Sequence, residues 1–272
     1  MHLPWSRRHL PVVTFFWDRD SLPLLRPADM KATHEKREAC DLSYHFYQLI
    51  LEHLISQVYS LDLRVFRWIN RGFNHPWLDQ FFNLLADGRF WTPVLLGMAV
   101  VFLCTGKERV KSWIVLTILS IAIGDPLICN PLKHLVDRPR PFEAVEGVRD
   151  VSPGSGDHRW EPSVRISGIP EKEVVHGRSF PSSHVANATA AAMSARLIWG
   201  PALRWPWYFV ALAALGRVYT GDHYPTDVLA SVPLSMLYTW AIARVADSLW
   251  KKVARGWFPK LFARLPSLLH SR

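Results

Sequence analysis

Five apolar stretches between residues 90 and 243 constrain this chain more than any other feature. They cover 90–105, 112–135, 185–199, 205–219 and 228–243, with Trp and Tyr gathered at their ends. Most fall short of the ~20 residues that a membrane span takes. The 185–199 stretch is rich in Ala, carries Asn187 and Arg196, and alone reads as an ordinary soluble helix. As a set, with aromatic side chains where lipid headgroups would lie, the stretches predict a membrane bundle. Residues 44–61 add apolar positions at helical spacing, either a first span or an amphipathic surface helix. Residues 61–87 are interfacial in character. The fold class is all-α, an integral membrane helical bundle; if 44–61 spans, it has six helices with both termini inside. No internal repeat, low-complexity tract or strand-rich region is read.

The charges between the stretches orient the bundle. The short loop "TGKERVKSW" is basic, and the 251–272 tail carries Lys251, Lys252, Arg255, Lys260, Arg264 and Arg272 with no acid. Both are expected on the cytoplasmic side. The 137–183 loop is nearly balanced in charge and is expected outside, together with the loop around residues 216–227. The organisation is therefore a polar, proline-containing tail over 1–42, a membrane domain over 43–250 and a basic tail over 251–272. Within the membrane domain lie a motif-bearing core, 90–243, and the outer loop, 137–183. Arg7 and Arg8 precede the apolar run "HLPVVTFFW", but it meets Asp18 at once and has no small-residue cleavage site, so it does not read as a signal peptide.

Apolar residues make up 49% of the chain while its mean hydropathy is only +0.04, so strongly polar segments must alternate with the apolar ones. A net charge of +9 admits nucleic acid, an anionic membrane surface or a phosphorylated substrate as partner. Nucleic acid is set aside, because the basic residues form no stripe interleaved with aromatics. Cys40, Cys104 and Cys129 form no disulfide framework, zinc pattern or redox pair; the latter two lie in apolar runs and read as small buried hydrophobes.

Three short stretches border the outer side. In "KHLVDRPRP", Lys133 lies near a helix end, and Pro139 and Pro141 force an extended chain that lets Arg140 turn back. In "SFPSSHV", Ser182 or Ser183 can cap the Ala-rich helix, whose free N–H groups and dipole make an anion site. The dipole disfavours a charged His184 in the first turn, and a bound phosphate would offset that. In "GRVYTGDHYPTD", Arg217 ends one helix while His223 and Asp227 begin the next. A nucleophilic histidine needs one free ring nitrogen, with the other donating to a carboxylate, and Asp227 stands one helical turn on. Each stretch also has a plainer reading alone. The first is a cationic anchor at the headgroups, the second an N-cap beside an incidental histidine. The third is a helix opened by Pro225 whose dipole Asp227 offsets. Together they supply three cations, a helix N-terminus and two histidines, an inventory that fits phosphoryl transfer. No metal or other cofactor is expected, since carboxylates do not cluster and no histidine group has convincing ligand spacing. Asp125 and Asn130, each followed by proline in an apolar helix, read either as support for the site or as residues of a proline kink.

These stretches resemble the signature of the type 2 phosphatidic acid phosphatase and haloperoxidase superfamily, K-x6-R-P, P-S-G-H and S-R-x5-H-x3-D. Lys133 and Arg140-Pro141 match the first element, and Pro181, Ser182 and His184 the second, with Ser183 in place of glycine. Arg217, His223 and Asp227 match the third, with Gly216 in place of serine. The resemblance implies that His223 is the nucleophile forming a phosphohistidine and that Asp227 orients it. It implies that His184 protonates the leaving group and then activates water. Lys133, Arg140, Ser182, Ser183 and Arg217 would bind the phosphate. Membrane members are usually six-helix proteins with the site at the outer face. The implied function is a bacterial integral membrane phosphatase of the inner (plasma) membrane, its site facing the periplasm or exterior. Its substrate would be a lipid phosphate or diphosphate: undecaprenyl diphosphate, phosphatidylglycerol phosphate, phosphatidic acid or lipid A phosphate. The alternative within enzymes is a lipid phosphotransferase using the same intermediate. A vanadate-dependent haloperoxidase is disfavoured by the apolar stretches, because those enzymes are soluble. A non-catalytic headgroup binder would need the cations but not the nucleophile.

Overall fold

A computed structural model describes residues 27–153, 161–168 and 177–270. The signal-peptide question at the N-terminus and the first part of the 1–42 tail lie outside the described residues; from Pro27 the backbone is helical. The chain divides into two units, 1–63 and 64–272. The first holds most of helix α1 (Pro27–Gly72), whose Phe46, Leu49, Ile50 and Leu54 are exposed.

In the second unit the last turns of α1 are followed by α2 (Pro76–Ala86), α3 (Gly88–Thr105) and α4 (Glu108–Gly124). A π-helical turn (Asp125–Cys129) leads directly into α5 (Asn130–Val136), and α6 (Pro141–Ala144) follows the Arg-Pro-Arg-Pro run. Strands β1 (Arg149–Pro153) and β2 (Pro162–Ile166) then form an antiparallel hairpin, pairing Arg149 with Ile166 and Pro153 with Pro162. Helices α7 (Ser183–Trp199), α8 (Pro206–Tyr219), α9 (Pro225–Trp257) and α10 (Pro259–Arg264) complete it. The hairpin departs from an all-helical expectation: "RDVSP" and "PSVRI" are too short and too proline-flanked to stand out beside the apolar runs.

Among the described residues, three helical segments are long and apolar enough to cross a membrane: Gly88–Thr105, Glu108–Ala144 and Pro225–Trp257. Length and composition alone do not give the expected six. Helices α7 and α8 fall short of ~20 residues, and Glu52, Asp62 and Arg64 interrupt the apolar face of α1. Helix α3 buries no residue, as expected of a helix that faces lipid, and Cys104 on it is exposed rather than buried. Cys129 is buried as expected.

Helix α7 packs against α4, α8 and α9. Its Ala186, Ala190, Ala192 and Ala195 are buried, and small side chains are what lets membrane helices approach closely. Gly124 serves the same end: a Cβ there would come within 2.5 Å of the Tyr238 ring. One end of this bundle gathers the π turn, the start of α7, the α8–α9 loop and the hairpin. The other gathers the basic α3–α4 turn, the end of α7 and the basic tail, where the His270 N–H donates to the Leu197 carbonyl at 2.7 Å.

Candidate active site

The first cation arrives through the π turn. Pro126 and Pro131 each lack an N–H, and π-helical turns of this kind widen a helix where side chains are needed. The turn sets Asp125 against the start of α7, where the Ser183 hydroxyl donates to Asp125 Oδ1 at 2.6 Å. Lys133 Nζ donates to the same hydroxyl oxygen, also at 2.6 Å. The serine standing where the family signature has glycine is thus a bridge between ammonium and carboxylate. Asp137 then closes α5 in the left-handed region at φ 49°, and its carboxylate accepts the Gly177 N–H at 2.9 Å. The Ser179 N–H donates to the Arg138 carbonyl at 2.9 Å, laying Ser179 beside the Arg-Pro-Arg-Pro run.

Ser182 is the N-cap of α7. Its own N–H donates to Ser231 Oγ at 2.9 Å, while its hydroxyl is buried without a partner. Helix starts leave their first N–H groups unpaired, so this end presents donors to an anion. His184 lies in the first turn, exposed, with no hydrogen bond to its ring among the described residues.

Arg217 closes α8 and is buried, its Nε without a partner. Gly216 before it abuts α2: a Cβ would stand 3.1 Å from Phe82, tighter than ordinary contact, which gives a packing reason for glycine in place of serine. In the loop that follows, Asp222 takes both site arginines, Arg140 Nη1 at 2.9 Å and Arg217 Nη2 at 3.1 Å, and accepts the Thr220 hydroxyl at 2.6 Å. The hairpin is pinned to this loop. The Val151 N–H donates to the Thr220 carbonyl at 3.0 Å, and at Gly221, φ +89°, a Cβ would lie 2.5 Å from the Arg149 carbonyl oxygen. Behind it Arg149 grips both oxygens of buried Asp79, at 2.8 and 2.7 Å, and Tyr219 donates to the same carboxylate.

His223 Nδ1 lies 2.6 Å from the Ser179 carbonyl oxygen. A carbonyl only accepts, so Nδ1 carries the proton and Nε2 keeps its lone pair. Burial pushes this imidazole well below its ordinary 6.5, and the charges of Arg217 and Arg140 push the same way. The expected direct bond from His223 to Asp227 is replaced by a relay. Asp227 is fully buried and committed elsewhere. It takes the Ser179 hydroxyl and Arg138 Nη1 at 2.5 Å each, and the Tyr224 N–H at 3.0 Å. It reaches His223 through residue Ser179. The last of these bonds is also the plain N-terminal cap of α9, the simpler of the two sequence readings of Asp227. Arg138 is held over the Tyr224 ring at 3.9 Å.

The structure therefore brings Lys133 to Ser183, sets Arg140 and Arg217 on one carboxylate, and places His223 next to that carboxylate. Sequence reasoning missed Asp222, Ser179 and Arg138. Their adjacency to His223, Pro181 and Arg140 in the chain was the only available signal. A cavity of 630 Å³ borders the site, with Arg140, His134 and Arg178 on its wall. Among the described residues no group of His, Cys, Asp or Glu is arranged to hold a metal ion. The carboxylates nearest the site are each taken up: Asp125 by Ser183, Asp222 by two arginines, Asp227 by Arg138 and Ser179. Cations, unpaired donors and a buried neutral imidazole with one free nitrogen are what an in-line transfer of a phosphoryl group requires.

A family model described as the PAP2 superfamily matches residues 113–251, half of the chain, and this span contains every candidate catalytic and phosphate-binding residue. The lipid A 4'-phosphatase of Porphyromonas gingivalis is 26% identical over 203 residues, covering 71% of this chain and 77% of that protein. The lipid A 4'-phosphatase of Bacteroides thetaiotaomicron is 24% identical over 201 residues, covering 72% and 81%. Among solved structures, Aquifex aeolicus LpxE aligns with a TM-score of 0.47 at 26% identity, covering 68% of this chain and 95% of that one. The transmembrane PAP2 type phosphatidylglycerolphosphate phosphatase from Bacillus subtilis aligns with a TM-score of 0.46 at 22% identity, covering 74% and 92%.

Proposed function

The chain belongs to the PAP2 superfamily, and on that premise we propose that it is an integral membrane phosphatase that hydrolyses a lipid phosphate through a phosphohistidine on His223. The observation that carries this reading is the 2.6 Å contact from His223 Nδ1 to the Ser179 carbonyl, which leaves Nε2 as a neutral nucleophile among cations.

In the first step Nε2 attacks phosphorus, the bond to the leaving oxygen breaks, and His184 gives that oxygen a proton. In the second, His184 takes a proton from water, the hydroxide attacks phosphorus, and the N–P bond breaks to release inorganic phosphate. Lys133, Arg140, Arg217 and the Ser182 hydroxyl hold the equatorial oxygens, with the backbone N–H of Ser183. Because Asp222 already occupies one nitrogen of each arginine, the phosphate meets their remaining N–H groups, Arg217 Nε among them.

Of the candidate lipids we place a phosphorylated lipid A first, since two relatives carry that activity in their names. We read α1, α3, α4–α5, α7, α8 and α9 as six spans, with the site at the periplasmic or exterior face. What supports this orientation is that the basic α3–α4 turn and the basic tail meet at the end away from His223. The test is phosphate release in detergent across a panel of lipid A, phosphatidylglycerol phosphate, phosphatidic acid and undecaprenyl diphosphate. Lipid A should give the highest kcat/KM, and His223→Ala should abolish release from all four.

A further inference from the structure

At the end of the bundle away from His223, the α3–α4 turn, the end of α7 and the segment after α10 enclose a cavity of 310 Å³. Lys107, Arg109 and Arg264 line it, and Glu108 is the one acid on its wall. None of the three cations has an ion-pair partner among the described residues. Lys107 is also the N-cap of α4 and makes no side-chain cap bond, so the positive end of that helix dipole adds to their field. The wall is built rather than draped. Ser267 Oγ and the Leu268 N–H both donate to Asp247 Oδ1 at 2.8 Å, and Trp250 Nε1 donates to the Leu265 carbonyl at 2.8 Å. Trp199 and Leu265 supply apolar surface beside the cations.

We propose that this cavity binds the headgroup of an anionic phospholipid, at a site separate from the one that turns over substrate. Three observations converge on a lipid. The volume lies at the low end of small-ligand sites, about 300–1,000 Å³, which is room for a headgroup and not for a whole lipid. The charge on the wall, three cations against one acid, suits a phosphodiester. Helix α3, which packs on α4 and ends at this turn, buries nothing and exposes Val100 and Val101, so acyl chains have an apolar face to follow from the cavity into the bilayer. Free phosphate shares the first two features and lacks use for the third. Basic pockets between helices at this membrane face recognise acidic headgroups by this chemistry.

The test uses the purified full chain in nonionic detergent, with thermal stability and lipid binding read against phosphatidylglycerol, phosphatidylcholine and inorganic phosphate. Phosphatidylglycerol should raise Tm and phosphatidylcholine should not, while any rise with inorganic phosphate, which the His223 site also binds, should be the same in the cavity variant as in the parent. The variant Lys107→Gln/Arg109→Gln/Arg264→Gln should bind phosphatidylglycerol roughly 100-fold more weakly. A control removing the same charge outside the cavity, Lys111→Gln/Lys252→Gln/Lys260→Gln, should bind it like the parent. If the first variant fails to fold, Lys107→Arg/Arg109→Lys/Arg264→Lys should keep the binding and Arg264→Gln alone should weaken it. Equal loss in both triple variants would reduce the effect to general surface charge, and a Tm rise with inorganic phosphate that the Lys107→Gln/Arg109→Gln/Arg264→Gln variant abolishes would replace the lipid with a free anion; either overturns the proposal. Phosphatase failure leaves this outcome untouched, since none of these residues lies at the His223 end.

Discussion

Ser179 stands between His223 and Asp227, giving its carbonyl to the imidazole at 2.6 Å and its hydroxyl to the carboxylate at 2.5 Å. In the mechanism we propose, the carboxylate orients the nucleophile through this shared neighbour. Ser179→Ala keeps the carbonyl and loses the link, so kcat should fall while KM stays within a few-fold. A hydrogen bond to a charged group is worth about 1.5–3 kcal/mol, so the loss should be on the order of 10–100-fold. Ser179→Thr should recover most of it. Steady-state kinetics on one lipid phosphate decide the matter, and a rise in KM with kcat unchanged would mean that Ser179 serves binding instead.

His223 is held neutral by burial first, and by the positive charges of Arg217 and Arg140 after it. A lowered histidine loses its proton at lower pH, so the acid limb of kcat/KM should lie well below 6.5 and activity should persist where an ordinary histidine would be charged. Removing one of those charges must move the group upward. Titration of the His223 ring by histidine-selective NMR should show a higher value in Arg140→Gln than in the parent. A downward shift would contradict the electrostatic account.

Ser183 joins Lys133 to Asp125 by two 2.6 Å hydrogen bonds. Ser183→Ala should release the ammonium and lower kcat/KM about tenfold, from loss of hydrogen bonds to charged groups. Asp125→Asn should do the same without touching the phosphate loop. If Ser183→Ala is fully active, Lys133 needs no anchor.

Much of this site was legible because its residues come in three short runs, and a run keeps its members together however the helices pack. Lys133 with Arg140, Ser182 with His184, and Arg217 with His223 are each set by a helix end and the few residues beside it. What was not legible is pairing across the bundle. Asp125 meets Ser183 across 58 residues and Ser179 meets Asp227 across 48, and no local spacing encodes such contacts. Asp222 was passed over for a related reason. A lone carboxylate in a loop carries no local mark of its partners, and only the structure shows two arginines converging on it. The apolar stretches marked the helices well, but α9 runs on to Trp257, since beyond residue 243 its polar face hides it from a search for apolar runs.

The hairpin owes its place to a buried ion pair. Arg149 and Asp79 are both almost fully buried and joined by two hydrogen bonds. Asp79→Ala leaves a buried guanidinium unpaired, which typically costs about 3–5 kcal/mol. Thermal unfolding in detergent should show a clear drop in Tm. Conservative Arg149→Lys, which cannot take both oxygens in the same fork, should fall between Asp79→Ala and the parent.

The most direct test of the account is a rapid-quench experiment with EDTA-treated enzyme and a lipid labelled in its phosphate. Acid-labile, base-stable phosphate should appear on the parent protein within the first turnover. His223→Ala should carry none. His184→Ala should still form it with a good leaving group and accumulate it, because hydrolysis has lost its base. Phosphate trapped on His223→Ala but absent from His184→Ala would reverse the two roles and contradict the account.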